Sequence, residues 1–213
     1  MWEYFTQRSD QILFASWQHF SLVGQSLLLA TLIAVVIAVL SYRSSALTAA
    51  ANSVSAIGLT IPSFALVGLL IAPVGFGVIP AVIVVTFYAA LPILRNALVG
   101  LAGIPGDVVE SARGIGMSRL RTLMTVELPM AWPVILAGVR VSGQMVMGIA
   151  TIAAYSLGPG LGAFIFSGLD RLGGANSLES VVIGVVGVII LAFILDLLLV
   201  AVGRLTIPRG IRV

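Results

Sequence analysis

Five stretches of this chain are long and apolar enough to cross a lipid bilayer as helices. A spanning helix needs roughly 20 mostly apolar residues, because each residue adds about 1.5 Å and the hydrocarbon core is about 30 Å thick. The stretches are residues 22–42, 50–72, 78–98, 130–153 and 180–203. Only 9% of the residues are charged, against about a quarter in soluble domains. The sequence therefore predicts an all-α, polytopic transmembrane helical bundle that forms a single domain over residues 1–213.

Three of these stretches contain a proline, which lacks the N–H that a helix needs. Pro62 divides the second stretch, Pro92 lies near the end of the third, and Pro133 lies in the fourth. A further apolar stretch, 154–169, contains three glycines and one proline within 158–162. We expect a short extramembrane or re-entrant segment there. A sixth span is the alternative.

The first 21 residues are predicted to lie at the membrane interface. They carry Glu3, Arg8 and Asp10 and lack the apolar core of a signal peptide. They are also rich in aromatic side chains, which favour the level of the lipid headgroups. These aromatic residues are Trp2, Tyr4, Phe5, Phe14, Trp17 and Phe20.

The distribution of arginine predicts the orientation in the membrane, because cytoplasmic loops are enriched in positive charge. With five spans, one side of the membrane holds Arg43, Arg95, Arg113, Arg119, Arg121, Arg204, Arg209 and Arg212. The other side holds Arg8 and Arg171, and Arg140 lies inside the fourth span. We therefore expect the N-terminus outside and loop 99–129 and the C-terminus in the cytoplasm.

Several classes of site are disfavoured by composition. The chain has no cysteine, no lysine and one histidine, His19, so thiolate and histidine metal sites and most acid–base constellations lack their residues. A phosphate-binding loop of the form G-x-x-x-x-G-K-[ST] needs a lysine. We expect no catalytic residue, no metal and no bound cofactor in this chain, and no nucleic-acid partner.

The longest polar stretch is the loop from Gly103 to Pro129, which carries its own helix signals. Asp107 precedes Glu110 by three residues, the spacing of a capping box. Gly114 and Gly116 then interrupt the pattern. Ser118 is a candidate N-cap for a second helix over about 119–128, which we expect to end at Leu128-Pro129. That helix carries one apolar side, made of Leu120, Leu123, Met124 and Leu128. Two short helices with an apolar side would suit either docking in a groove on a partner or packing against the bundle of this chain.

The same loop resembles the EAA motif of the permease subunits of binding-protein-dependent ABC importers. That motif reads roughly E-A-A, three residues, G, nine residues, I, one residue, L-P. Glu110-Ser111-Ala112, Gly116, Val126 and Leu128-Pro129 occupy these positions, with Ser111 and Val126 as conservative departures. The resemblance implies a coupling element that docks on an ATPase subunit. Its residues would be Glu110, Ser111, Ala112, Arg113, Gly116, Met117, Leu120, Leu128 and Pro129.

The resemblance also implies a fold and an assembly. The fold would be that of type I, methionine-permease-like importers in the bacterial cytoplasmic (inner) membrane. The chain would pair with a second, identical or homologous, permease chain. Its other partners would be two ATPase subunits that bind the ATP, an extracytoplasmic substrate-binding protein, and membrane lipid.

Other stretches resemble permeases for osmoprotectants such as glycine betaine, carnitine and choline. They are Thr60–Leu66, Tyr88–Asn96, Gly116–Ser118 with Val126–Pro129, and Gly158–Gly162 followed by Ile165-Phe166. Two alternatives stay open: an ABC permease for another solute such as methionine, and a stand-alone ion-coupled carrier. The second alternative would need intramembrane carboxylates or inverted repeats.

Polar side chains within the spans are the remaining candidates. Arg140 lies roughly 16 Å from Pro129 and Asp196 roughly 12 Å from Arg204 along their helices, so we expect an intramembrane ion pair of structural or functional importance. A translocation path or interhelical hydrogen bonds would explain the others. These candidate path residues are Pro62, Ser63, Tyr88, Asn96 and Gln144.

Overall fold

The computed structural model describes residues 1–207 and Gly210. All its regular elements are helical: α1 (Trp2–Gln7), α2 (Ser9–Ser41), α3 (Ser45–Thr60), α4 (Ser63–Val74), α5 (Val78–Ala102), α6 (Gly106–Gly114), α7 (Arg119–Thr122), α8 (Leu128–Ala153), α9 (Gly162–Leu169) and α10 (Ser177–Thr206). A π-helical turn, Leu123–Glu127, joins α7 to α8, and a 3₁₀ turn, Ala154–Ser156, follows α8. The predicted all-α bundle is confirmed. Arg209 and Arg212, which also entered the topology prediction, lie outside the described residues.

Four continuous helical segments are long and apolar enough to cross a membrane: Ser9–Ser41, Val78–Ala102, Arg119–Ser156 and Ser177–Thr206. The first begins at Ser9, so most of the N-terminal segment continues the first span. Its 33 residues extend about 50 Å, well beyond the roughly 30 Å hydrocarbon core. The segment 154–169 forms only the 3₁₀ turn, a loop and the eight-residue α9. The six-span alternative is therefore wrong, because its glycines end the helix before it could span.

The second predicted span is two helices, α3 and α4, which meet at a bend of 94°. A proline disfavours helical backbone in the residue before it, and Ile61 accordingly has φ −69° and ψ 126°, an extended conformation. Pro62 is also extended and precedes α4. The expected interruption at Pro62 is confirmed, and α3 and α4 together make up the second apolar stretch as a bent pair.

The centre of the bundle is the crossing of α5 and α8, against which α2 packs. Small residues bring the backbones close. A Cβ on Gly100 would lie 3.1 Å from the Ala131 carbonyl oxygen, and one on Gly138 would lie 2.7 Å from the Asn96 Cβ. Close approach of this kind stabilises membrane helices through van der Waals packing. Along α2, Ala30, Ala34 and Ala38 are fully buried at a spacing of four residues.

Helix α10 lies at the periphery, against α8 and α9. Its most apolar window is only 6% buried. Phe193, Leu197 and Leu205, among others, stay exposed. In a bilayer these side chains face lipid or another subunit. Gly168 and Gly184 permit the close contact between α9 and α10, since an added Cβ would lie 2.7 Å from the Ser177 carbonyl and 2.6 Å from the Ile165 side chain, respectively.

Candidate functional site

The loop between α5 and α8 contains a helix, α6, that ends in a Schellman motif. The Met117 N–H donates to the Ala112 carbonyl at 3.2 Å, and the Gly116 N–H donates to the Arg113 carbonyl at 2.9 Å. Gly116 has φ +89°, a conformation that favours glycine. The Ala112 side chain is buried. The spacing of the EAA-like motif thus corresponds to one C-terminal cap, which turns the chain sharply after α6.

The capping box expected at Asp107 and Glu110 is wrong. Pro105 is the N-cap, and α6 begins at Gly106. Asp107 therefore lies inside the first turn, where its carboxylate accepts a hydrogen bond from the Val108 N–H at 3.0 Å. Its charge still suits the positive end of the helix. Pro105 has φ −59° and ψ 135°, and the helix begins directly after it, two residues before the expected start.

Ser118 caps the second helix as expected, since its hydroxyl accepts a hydrogen bond from the Arg121 N–H at 3.3 Å. The expected end at Leu128-Pro129 is wrong, because the chain passes through the π turn into α8 without a break. The Leu128 N–H donates to the Leu123 carbonyl, five residues back. Pro129 has no N–H to continue a ladder, and the wider π turn accommodates its ring at the start of α8.

The outer surface of the loop combines apolar side chains with arginines. Ile115, Leu120 and Met124 are 77%, 69% and 60% exposed, respectively. Their polar neighbours, Glu110, Ser111, Arg113, Arg119 and Arg121, are exposed as well. Leu128, Pro129 and Met117 are only partly exposed. The expected coupling residues therefore divide into an exposed set and an inner set that shapes the loop.

A polar network joins this loop to the end of α2, and the sequence analysis did not single it out. We call Tyr42, Arg43 and Glu127 the Glu127 network. The Glu127 side chain is 3% exposed and accepts hydrogen bonds from Arg43 Nη2 at 3.0 and 3.3 Å. The Tyr42 hydroxyl also donates to Glu127 and accepts from Arg43 Nε at 2.5 Å.

The electrostatics of the Glu127 network agree with its geometry. Burial, followed by the Glu127 carboxylate, raises the pKa of the Tyr42 hydroxyl above its usual value, so the hydroxyl keeps its proton and remains a donor. The partners are separated by 85 residues in sequence. One sequence signal was available: Glu127 is an acidic residue inside an otherwise apolar approach to a span, where an unpaired carboxylate would be costly.

The structure brings Arg140 on α8 and Asp196 on α10 together. Arg140 Nε and Nη2 donate to the two Asp196 carboxylate oxygens at 3.0 and 3.1 Å, a bidentate arrangement. Gln144 Nε2 also donates to Asp196, at 3.3 Å. Gln144, expected along a path, is therefore part of this contact. A cleft of about 450 Å³ beside the pair is bordered by Pro133, Leu136, Arg140, Gly203 and Arg204, among others.

Three of the other candidate path residues meet at the break between α3 and α4. The buried Tyr88 of α5 donates its hydroxyl hydrogen to the Ile61 carbonyl, which precedes Pro62. Ser63 begins α4. Asn96 does not join this group: its amide donates to the Pro92 carbonyl at 2.9 Å, and its side chain packs against Gly138. The break is thus fastened to the central helix by Tyr88.

His19 is fully buried rather than interfacial. Its Nε2 lies 3.2 Å from the Met147 carbonyl oxygen, and its ring lies against Gly160, where an added Cβ would be 2.7 Å from Nδ1. It joins α2, α8 and the glycine-rich loop. Within residues 1–207 and Gly210, no three His, Cys, Asp or Glu side chains are grouped so as to hold a metal ion.

Solved structures share this architecture. A chain from the inward-facing structure of the MetNI methionine ABC transporter, in its CY5 native crystal form, matches with a TM-score of 0.76. The match covers 92% of this chain and 95% of that one, at 20% sequence identity. A second crystal form of the same transporter matches with a TM-score of 0.72. At this level of identity the likeness establishes the fold.

Curated relatives match nearly end to end. The choline transport system permease protein OpuBB of Bacillus subtilis is 33% identical, over 99% of this chain and 95% of that protein. The carnitine transport permease protein OpuCB of Listeria monocytogenes is 33% identical, over 98% and 94%. The osmoprotectant import permease protein OsmW of Salmonella typhimurium is 37% identical, over 92% of each chain.

A family model matches residues 29–207, from the middle of α2 to the end of α10. It describes the inner membrane component of binding-protein-dependent transport systems. The matched region contains the broken helix, the loop with its Schellman motif and the Arg140–Asp196 pair. This chain therefore belongs to the family of binding-protein-dependent transport system inner membrane components.

Proposed function

We propose that this chain is the permease subunit of an ATP-driven importer for a quaternary ammonium osmoprotectant such as glycine betaine, carnitine or choline. One observation carries the choice of substrate class: relatives named for choline, carnitine and osmoprotectant transport match over more than nine-tenths of both chains. The methionine transporter shares the fold at 20% identity. A likeness at that level does not indicate that this chain transports methionine.

The proposed role of the loop between α5 and α8 is to bind an ATPase subunit. Its exposed Ile115, Leu120 and Met124 lie among Arg113 and Arg119, a combination of apolar anchors and arginine typical of protein interfaces. The Schellman motif at Gly116 fixes the turn after α6 with two backbone hydrogen bonds, which suits an element that transmits movement. ATP would be bound by two partner subunits, one under each permease chain.

A second permease chain would complete the translocation path. We assign the break between α3 and α4, with Pro62, Ser63 and Tyr88, to the wall of that path, because broken helices expose backbone polar groups at membrane depth. Asn96 and Gln144 are secondary candidates, since both amides already have hydrogen-bond partners. Alternating access would arise from two packings of these helices, biased by the ATPase subunits.

The proposed orientation places the loop and the end of α10 in the cytoplasm and the N-terminus outside. Its support is the excess of arginine on the loop side. The binding protein would deliver substrate at the opposite end, near α9 and the turn at Arg171. The apolar outer face of α10 would contact lipid.

Reconstituted transport tests this proposal. The complex, purified with its ATPase and binding protein into vesicles, is supplied with radiolabelled glycine betaine, carnitine, choline or methionine, with and without internal ATP. We expect ATP-dependent uptake of at least one quaternary ammonium compound and none of methionine. Uptake of methionine alone would contradict the substrate class. Uptake that persists without any ATPase subunit would favour an ion-coupled carrier and contradict the mechanism.

A further inference from the structure

The Glu127 network joins the base of the loop to the turn between α2 and α3. Glu127 is the last residue of the π turn, at the base of the loop. Tyr42 is the C-cap of α2, and Arg43 follows it directly. Ser44 then caps α3, accepting a hydrogen bond from the Leu47 N–H at 3.4 Å. The buried Glu127 carboxylate is thus hydrogen-bonded to the turn between α2 and α3.

Covalent continuity carries loop movement directly into α8, because α7, the π turn and α8 form one uninterrupted helical segment. Helices α2 and α3 have no such continuity with the loop. The Glu127 network supplies a link to them. Three hydrogen bonds join Tyr42 and Arg43 to Glu127, and a fourth joins Arg43 to Tyr42. Helix α3 in turn leads to the break at Pro62.

The chemistry of the network favours an all-or-none link. Glu127 is 2% exposed as a residue, and a buried carboxylate that loses its partners is strongly disfavoured. Separation of the loop from Arg43 would leave this carboxylate buried without its cation, so we expect the loop and the α2–α3 turn to move together. Discrete arrangements of this kind are what transmits movement through packed proteins.

We propose that Glu127, with Tyr42 and Arg43, is a positioning residue that transmits movement of the loop between α5 and α8 to α2, to α3 and to the break between α3 and α4. The inference rests on the proposed ATP-driven import. Because Glu127 is 2% exposed, we assign it no direct contact with ATP or substrate. Its role is to make the α2–α3 turn follow the loop during each cycle of the ATPase.

The test compares ATP hydrolysis and uptake in the reconstituted complex for Glu127→Gln, Tyr42→Phe and a charge-exchanged pair, Glu127→Arg with Arg43→Glu. We expect Glu127→Gln to raise the number of ATP molecules hydrolysed per substrate imported at least about fivefold, the lower end of typical coupling between sites. Tyr42→Phe should raise it less. The exchanged pair should recover part of the coupling that Glu127→Arg alone abolishes.

A distance measurement separates transmission from simple loss of stability. Because the chain has no cysteine, spin labels can be placed on Leu47→Cys in α3 and Leu205→Cys in α10, which are 51% and 85% exposed. We expect ATP to change the distance between the labels in the wild-type background and to leave it unchanged in Glu127→Gln. Phe193→Leu, on the exposed outer face of α10, is the control and should behave as the wild type.

The outcomes are distinct. If the wild-type complex performs no ATP-driven import, the proposed function fails and this inference falls with it. If the wild type imports but Glu127→Gln lowers hydrolysis and uptake in equal proportion, the network serves only stability and the inference alone is overturned. An ATP-induced change of distance that survives in Glu127→Gln overturns it as well. Where Glu127→Arg does not fold, Glu127→Gln and Tyr42→Phe decide between these outcomes.

Discussion

Arg140 and Asp196 face each other across the α8–α10 contact through two hydrogen bonds, at 3.0 and 3.1 Å. Each would be costly alone at membrane depth. We expect Arg140→Leu and Asp196→Leu each to lower the free energy of unfolding, and the double variant to lower it less than the sum. The coupling energy should be about 0.5–3 kcal/mol, measured by a double-mutant cycle in detergent or lipid. Strict additivity would show that the two side chains do not interact.

Gly116 and Gly114 form a matched pair of sites in the loop between α5 and α8. An added Cβ meets nothing within 4 Å at either position, but only Gly116 has a positive φ, +89°. We expect Gly116→Ala to cost about 1–2 kcal/mol of backbone strain and Gly114→Ala to be neutral or stabilising, because it lies in helix α6. Thermal unfolding of the purified chain measures both. Equal effects would contradict the Schellman assignment.

Gly116→Pro should separate insertion from coupling. Proline cannot adopt a positive φ, and it lacks the N–H that donates to the Arg113 carbonyl. We expect the variant to remain in the membrane while ATP hydrolysis loses its link to uptake. Membrane fractionation, hydrolysis and uptake are measured on the same preparation. Normal uptake in this variant would count heavily against the proposed role of the loop.

Gly138 permits the close crossing of α5 and α8. An added Cβ would lie 2.7 Å from the Asn96 Cβ, whereas one on Gly148 of the same helix meets nothing within 4 Å. We expect Gly138→Ala to destabilise the bundle by about 1–3 kcal/mol through overpacking, with Gly148→Ala as the unaffected control. Thermal unfolding of the two variants decides; similar melting temperatures would mean that the helices can move apart freely.

The hydroxyl of Tyr88 fastens the break before Pro62. We expect Tyr88→Phe to lower stability by about 1 kcal/mol, since it removes one hydrogen bond to a carbonyl at a helix end. If the break lines the path, uptake per folded complex should also fall, because the position of the break changes. Tyr155→Phe keeps the ring contact with Phe64 and serves as the control. Uptake unchanged in Tyr88→Phe would remove the break from the path.

Single cysteines test the orientation, because the natural chain has none. Leu120→Cys in the loop and Leu172→Cys beyond α9 are 69% and 75% exposed. We expect a membrane-impermeant thiol reagent to label Leu172→Cys in intact cells and Leu120→Cys only in inverted vesicles. The reverse pattern would overturn the orientation and, with it, docking of an ATPase from the cytoplasm.

Local signals in the sequence predicted much of this structure. Long apolar runs predicted the spans, Pro62 predicted an interruption, and Ser118 and Gly116 predicted a cap and a turn in the loop. Hydropathy could not reveal the 94° bend at Pro62, because α3 and α4 are each apolar in either orientation. The π turn also escaped prediction, since it depends on how Pro129 is accommodated against its neighbours.

Contacts between distant residues were predicted unevenly. Arg140 and Asp196 were matched because both are isolated charges at similar depth. The Glu127 network joins residues 85 positions apart, and Arg43 and Tyr42 at the end of a span look like ordinary interfacial residues. The capping box at Asp107 failed because α6 already begins at Gly106, which places Asp107 inside the first turn rather than at the N-cap.

The helical segment Arg119–Ser156, with 38 residues, is about 57 Å long at about 1.5 Å per residue. One end carries the exposed arginines of the loop, and the other reaches the glycine-rich turn at Gly158 on the far face of the bundle. Gly138 lies midway along this rod, where the packing against α5 is closest. A tilt of about 5° about that point would move each end by about 2.5 Å, in opposite directions. A displacement of the loop end would thereby reappear at the far end of the rod with similar size and opposite sense.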